Sequence, residues 1–182
     1  MGSLAREADQ GADEGEARDL TMDSTGDTTR HIGRVREILS AVAERLENRG
    51  LGHDRSKLEE PEKSAFDEFT PKLRGSTYGS MEYQGFLADM KPALDHHYEA
   101  NRHHPEHFSA GISGMTLIDL VEMLADWKAA SERHSAGDVL KSIEINARRF
   151  EIVNQLREIL TNTAKALWPP ETTKNGKAKD GS

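Results

Sequence analysis

Cysteine is absent from this 182-residue chain, which excludes disulfides and thiolate metal sites, so any metal held here must take nitrogen and oxygen ligands. No apolar run approaches the ~20 residues of a membrane-spanning helix. With 35% hydrophobic and 31% charged residues, the composition is that of a helix-compatible protein in water, with no membrane partner expected. The opening residues, Met1-Gly2-Ser3-Leu4-Ala5-Arg6, have no apolar core of a signal peptide. They also lack the Ser or Thr at the sixth position of a myristoylation site, and a cytoplasmic location is expected. No basic stripe is present: the net charge is −8, and nucleic-acid binding is not favoured. No segment alternates with period two over a strand length and no internal repeat is found, so the chain reads as all-α.

The charge is uneven. Residues 1–28 carry Glu7, Asp9, Asp13, Glu14, Glu16, Asp19, Asp23 and Asp27 against Arg6 and Arg18, among small residues too poor in apolar area to offset their ordering entropy. A disordered acidic arm is expected there. A flexible tail is expected over 169–182, after Trp168-Pro169-Pro170. The working domain is then 29–168, built as a bundle of about five to seven helices with disordered termini. Thr29 to about Asn48 has Ile32, Val35, Ile38, Leu39, Val42 and Leu46 at helical spacing, with His31 inside that stripe. Gly50 supplies a stop. Pro61 can open a second helix through Phe66 and Phe69, followed by a Gly/Ser loop from Gly75 to Ser80. A third helix is expected from Met81 to about Arg102, with a kink or a broken start at Pro92. Residues 105–114 form a loop, Thr116 to His134 a helix, and Asp138 to Leu167 another.

Histidine is what the chain has in unusual density. Five of its eight histidines, His96, His97, His103, His104 and His107, fall within twelve residues, and His53-Asp54 stands upstream. Imidazole and carboxylate together suit a borderline divalent metal gathered from several segments. Asp119, Glu122 and Asp126 lie three and four residues apart on one side of their helix, with Leu117, Leu120, Val121 and Leu124 opposite. That row is either a solvated face or a set of carboxylates with a buried partner, a metal being one such partner. His97 and His104 are seven apart, two turns along one helical face; so are His96 and His103, and the sequence does not choose between the pairs.

These elements, in order, resemble the HD-domain superfamily of metal-dependent phosphohydrolases over about residues 31–130. His31-Ile32-Gly33-Arg34-Val35 is similar to its first helix, His53-Asp54-Arg55-Ser56-Lys57 to its His-Asp-x-x-Lys step, Ala93 to Tyr98 to its double-histidine segment, and Met123 to Trp127 to its final apolar-Ala-Asp element. Tyr78-Gly79-Ser80, Asn101 to His107 and Trp127 look closer still to a phage-associated branch without an assigned activity. No Gly-Tyr-Pro follows the paired histidines, so the cyclic-dinucleotide cleavage of the signalling branch is not carried over.

The resemblance implies a metal held by His31, His53, Asp54 and Asp126. A second ion would be held by middle-segment histidines: His96 or His97, with His103, His104 or His107. One or two divalent transition-metal ions (Mn, Fe, Co, Ni or Zn) would generate a hydroxide at neutral pH. Asp54 would bridge them, and the unused histidines and Asp119 or Glu122 would orient the ligands. Asp54 and Lys57 are the expected catalytic groups, and Lys57 and Arg102 the expected phosphate-facing cations; plain surface charge is the alternative for both. The expected function is hydrolysis of a nucleotide or related small phosphoester. An HD-type di-iron oxygenase is the alternative, because the same ligands suit iron; another is a non-catalytic, metal-stabilised helical binding protein. The partner is a small phosphorylated substrate, and self-association is left open.

Overall fold

The computed structural model describes residues 23–77, 80–133 and 137–169. Every regular element among them is helical. The seven α-helices are α1 (Thr25–Gly52), α2 (Glu62–Gly75), α3 (Met81–Asp89), α4 (Lys91–Ala100), α5 (Leu117–Ser131), α6 (Val139–Arg149) and α7 (Asn154–Leu167). Short 3-10 turns stand at Arg55–Leu58, Pro105–His107 and Gly111–Gly114. The helical bundle expected from the sequence is present, and none of these helices is long and apolar enough to cross a membrane. Residues 1–22 and 170–182, where most of the acidic arm and the tail were expected, lie outside the described residues, as do Tyr78, Gly79 and His134.

The chain divides into two compact units, Met1–Ser40 and Ala41–Ser182. The described part of the first is the start of α1, which begins at Thr25, four residues before the expected Thr29. Its residues are all exposed, Ile32, Val35, Ile38 and Leu39 included, and its ion pairs Asp27–Arg30 and Arg34–Glu37 are exposed i,i+3 pairs that add little stability.

The second unit has two interiors. One is apolar: Met123, Leu124 and Trp127 of α5 pack with Val139, Ile143 and Ala147 of α6, Ile152, and Leu160 and Ala164 of α7. Full burial of each large side chain there stabilises the fold by roughly 1.5–3 kcal/mol. The other is polar, and α5 borders both. Glu62, His97, His103, Asp119 and Glu122 are buried in it. The apolar side of α5 is rotated from the expected one: Leu117 and Val121 are exposed, and Met123 and Trp127 take their place.

Two expected helices are divided. Met81–Arg102 breaks at Met90, where α3 ends and α4 starts with Pro92 in its first turn, the position at which a missing N–H costs nothing. Asp138–Leu167 breaks after Arg149. There the N–H of Phe150 donates to Asn146, that of Ile152 donates to Ala147 across six residues, and Glu151 takes a left-handed backbone with φ 51°. This is the Schellman termination, normally signalled by glycine; with Glu in that place the sequence gives no stop signal. A residue with a Cβ is disfavoured in this region by roughly 1–2 kcal/mol, part of which glycine loses again through its freer unfolded chain. Glu151→Gly is therefore expected to raise unfolding stability by about 0.5–1 kcal/mol in urea titration; a loss of stability would contradict this account of the α6–α7 turn.

Candidate metal centre

The polar interior is assembled by three local devices. After α1, Asp54 adopts a left-handed backbone with φ 54°, a region that Asp tolerates better than most residues, and starts the 3-10 turn Arg55–Leu58. The N–H of Lys57 donates to the Asp54 carbonyl at 2.9 Å. At the end of α4, Asn101 is extended, and its Nδ2 donates to the His97 carbonyl and to Ser56 Oγ, each at 2.8 Å. The chain thus reverses and returns His103 and His104 against His97. On α5, Thr116 and Asp119 form a capping box, which fixes the helix start and the carboxylate row behind it.

Three imidazole nitrogens and one carboxylate oxygen converge. Nε2 of His97 lies 3.3 Å from Asp54 Oδ1 and 2.9 Å from Nε2 of His104; Nε2 of His103 lies 3.4 Å from the same Asp54 oxygen. One ligand atom from each of Asp54, His97, His103 and His104 falls within 4.8 Å of the others. Metal bonds near ~2.1 Å place neighbouring ligand atoms about 3.0 Å apart in an octahedron and about 3.4 Å apart in a tetrahedron. The three spacings just given, 2.9 to 3.4 Å, span those values. Two of these atoms, Asp54 Oδ1 and His103 Nε2, are buried and make no hydrogen bond. The two approach each other at 3.4 Å without forming a hydrogen bond; a buried carboxylate oxygen so weakly paired is costly, and a shared cation would remove that cost. The residues present therefore fit a divalent ion.

The far sides of the rings are held by carboxylates. His97 Nδ1 donates to Glu62 Oε2 at 2.8 Å. Glu122 Oε1 accepts from His53 Nδ1 at 3.0 Å and lies 3.2 Å from His103 Nδ1, while Arg49 donates to its other oxygen at 2.5 Å. Carboxylates on Nδ1 leave Nε2 free to ligate and raise its basicity. His53, His103 and Glu122 also form a close group, which is this support seen from behind. His53 directs Nε2 towards Asp126 Oδ1 at 3.6 Å and Asp54 Oδ2 at 3.7 Å.

The protonation pattern follows. The carboxylates of Asp126 and Glu122 push His53 up to about 10. His103 is also raised: burial opposes the charge, but Asp54 and Glu122 outweigh it. Burial and then the neighbouring His103 and His97 push His104 down to about 3, and burial and Lys57 lower His97. Burial works against the Asp54 charge too, yet His103 and Lys57 hold its carboxyl below the usual range. The surrounding carboxylates thus favour the charged form of His53 and His103, while burial favours the neutral form of His97 and His104.

Of the residues expected from the sequence, His53, Asp54, His97, His104 and Asp126 are brought together. Lys57 joins them, with Nζ 2.6 Å from Asp54 Oδ2 and 4.9 Å from the centre of the Phe66 ring. His31 is an exposed residue of the first unit. His96 turns to Glu62 Oε1 at 2.8 Å and is about half exposed; neighbours on a helix point about 100° apart, and His97 takes the inward direction. Arg102 is bound to Asp119 through two hydrogen bonds of 3.2 and 3.1 Å and stacks over Phe108. The structure adds His103, left among the alternatives in the sequence, and Glu62 and Arg49, which carried no signal there. The equal helical claims of the seven-residue pairs rested on a helix through residue 104; α4 ends at Ala100, and the turn decides.

Titration with Mn2+ is expected to release protons, because Asp54 and Glu122 raise His103, one of the four converging groups, above its ordinary value, and binding is expected to tighten as pH rises. Calorimetry in buffers of different ionisation heat measures both; binding independent of pH would contradict the protonation pattern. Glu122→Gln keeps the shape but loses the charge that fixes two rings, and is expected to weaken Mn2+ binding by about 10–100-fold with helix content unchanged by circular dichroism.

No curated protein and no solved structure matches the chain. A family model described as a family of unknown function (DUF5662) matches residues 21–167, a span that contains every side chain of the centre. The chain belongs to this family, DUF5662.

Proposed function

We propose that the chain is a metal-dependent phosphohydrolase of the HD type, acting on a nucleotide or related small phosphoester. The observation that carries the reading is the pair of orphaned buried atoms, Asp54 Oδ1 and His103 Nε2, facing a point that two further imidazoles share. A divalent ion there would supply Lewis acidity for activating water and polarising a phosphoryl oxygen at neutral pH. Asp54 divides its oxygens: Oδ1 serves the His97–His103–His104 side, and Oδ2 faces His53 and Lys57. That division suits a bridging carboxylate should two ions bind, with His53 and Asp126 completing the second set. Lys57, partly exposed beside Asp54, is the cation placed to neutralise a phosphate.

A specific observation favours the oxidative alternative. Arg49 and Arg102 are both engaged by Asp119, and Arg49 by Glu122 as well, which leaves Lys57 as the main charge for a phosphate. Metal analysis of protein purified without added metal, followed by a phosphate-release screen over phosphoesters and nucleotides, separates the two. Two irons per chain with an absorbance change under oxygen and no phosphate released would select the oxygenase. Asp54→Asn is expected to abolish tight metal uptake and to lower phosphate release by at least about 100-fold; full activity in that variant would end the assignment.

A further inference from the structure

A cleft of about 380 Å³ opens beside the centre, lined on one side by His53 and Asp126 and on the other by Leu46 of α1 and Val121, Ala125 and Ala129 of α5. The three α5 residues stand four apart, so they form one strip along the helix, and all three are exposed. Among the described residues, no Lys, Arg, Ser, Thr, Asn or Gln lines this cleft. Its polar groups belong to the centre itself, including Glu122, whose oxygens already accept from His53 and Arg49.

That wall chemistry selects among phosphoesters. A nucleobase brings N–H and C=O groups to which the side chains of this wall offer no hydrogen-bond partner. A polyphosphate chain needs cations, and Arg49 and Arg102 line a separate cavity of about 790 Å³, where Asp119 holds both. What fits is a compact apolar body whose single anionic head meets an ion that His53 and Asp126 would help to hold; the volume lies at the lower end for small-molecule clefts.

We infer that the substrate is a phosphate monoester of a small apolar alcohol, aryl or short alkyl, whose organic part lies on the Leu46–Val121–Ala125–Ala129 wall. The inference rests on the phosphohydrolase reading for its chemistry. In the reaction, a water oxygen adds to phosphorus and the P–O ester bond breaks. The alcohol departs with one proton, leaving inorganic phosphate. Val121 and the two alanines touch the leaving group and set specificity.

The test uses the full chain loaded with Mn2+. Calorimetric affinities are compared for phenylphosphonate, which cannot be hydrolysed in this way, and methylphosphonate, which has the same head without the ring. Burial of the ring predicts at least about tenfold tighter binding of phenylphosphonate, and Ala125→Leu, which fills the wall, brings the ratio close to one. Phenyl phosphate is expected to exceed adenosine monophosphate at least tenfold in kcat/KM. Equal affinities, a ratio untouched by Ala125→Leu, or preference for the nucleotide would each overturn the inference. So would a wild-type dimer that Ala125→Leu splits in sedimentation, because a second copy would then cover the wall. Ala129→Leu repeats the measurement if the first variant fails to fold by circular dichroism. A ring preference with no phosphate released from any ester keeps the cleft assignment and removes the hydrolase reading; release without a ring preference does the reverse.

Discussion

A carboxylate removed from water keeps its charge only when N–H groups or cations surround it, and Glu122 meets that condition with Arg49 on one oxygen and the Nδ1 sides of His53 and His103 on the other. Burial opposes its ionisation, yet His103, His53 and Arg49 together hold it well below the ordinary carboxylate range. This one group sets the orientation of two rings from different segments. Glu62 does the same for His97. Remove these anchors and the imidazoles have no reason to aim Nε2 at a common point. The arrangement at the centre is therefore decided one layer further out, by side chains that do not touch the centre.

The anchors are themselves held by ordinary folding devices. Glu62 is the first residue of α2 and wholly buried. Asp119 closes the capping box of α5 and also receives Arg49 and Arg102, so helix start, arginine placement and carboxylate row are one network. Such networks are costly when partly satisfied and rigid when complete. Among the described residues, the two buried side-chain atoms left without a hydrogen bond face each other at 3.4 Å, beside the other two imidazoles of the centre.

Much of the fold was legible in the sequence, because helical periodicity and the absence of period-two alternation are strong signals over long segments. The breaks were harder. Met90 was half-signalled by Pro92, whereas Glu151 sits where glycine would have announced a stop. In the centre, His53, Asp54, His97, His104 and Asp126 were visible as residue types in a spaced order. His103 could not be chosen over its neighbours, since its position depends on the Asn101 turn and not on helix geometry. Arg49 and Glu62 were invisible for a plain reason: a charged residue among other charges, beside a glycine or a proline, looks like surface, and only packing reveals its partners. His31 stood out through the apolar stripe around it, and that stripe is exposed from Ile32 to Val42.

α5 is the wall between two rooms, apolar on the Met123–Trp127 side and ionic on the Asp119–Glu122–Asp126 side. A helix has one rotational setting, so its two faces cannot be adjusted independently. A repacking around Met123 or Trp127 that turned α5 would turn with it the carboxylates that steer His53 and His103, and hydrogen bonds such as the 3.0 Å one from His53 to Glu122 weaken as their angle falls. Tolerance to sequence drift in the greasy half is thereby narrowed by chemistry in the charged half, and an engineer who restacks one room inherits the alignment of the other.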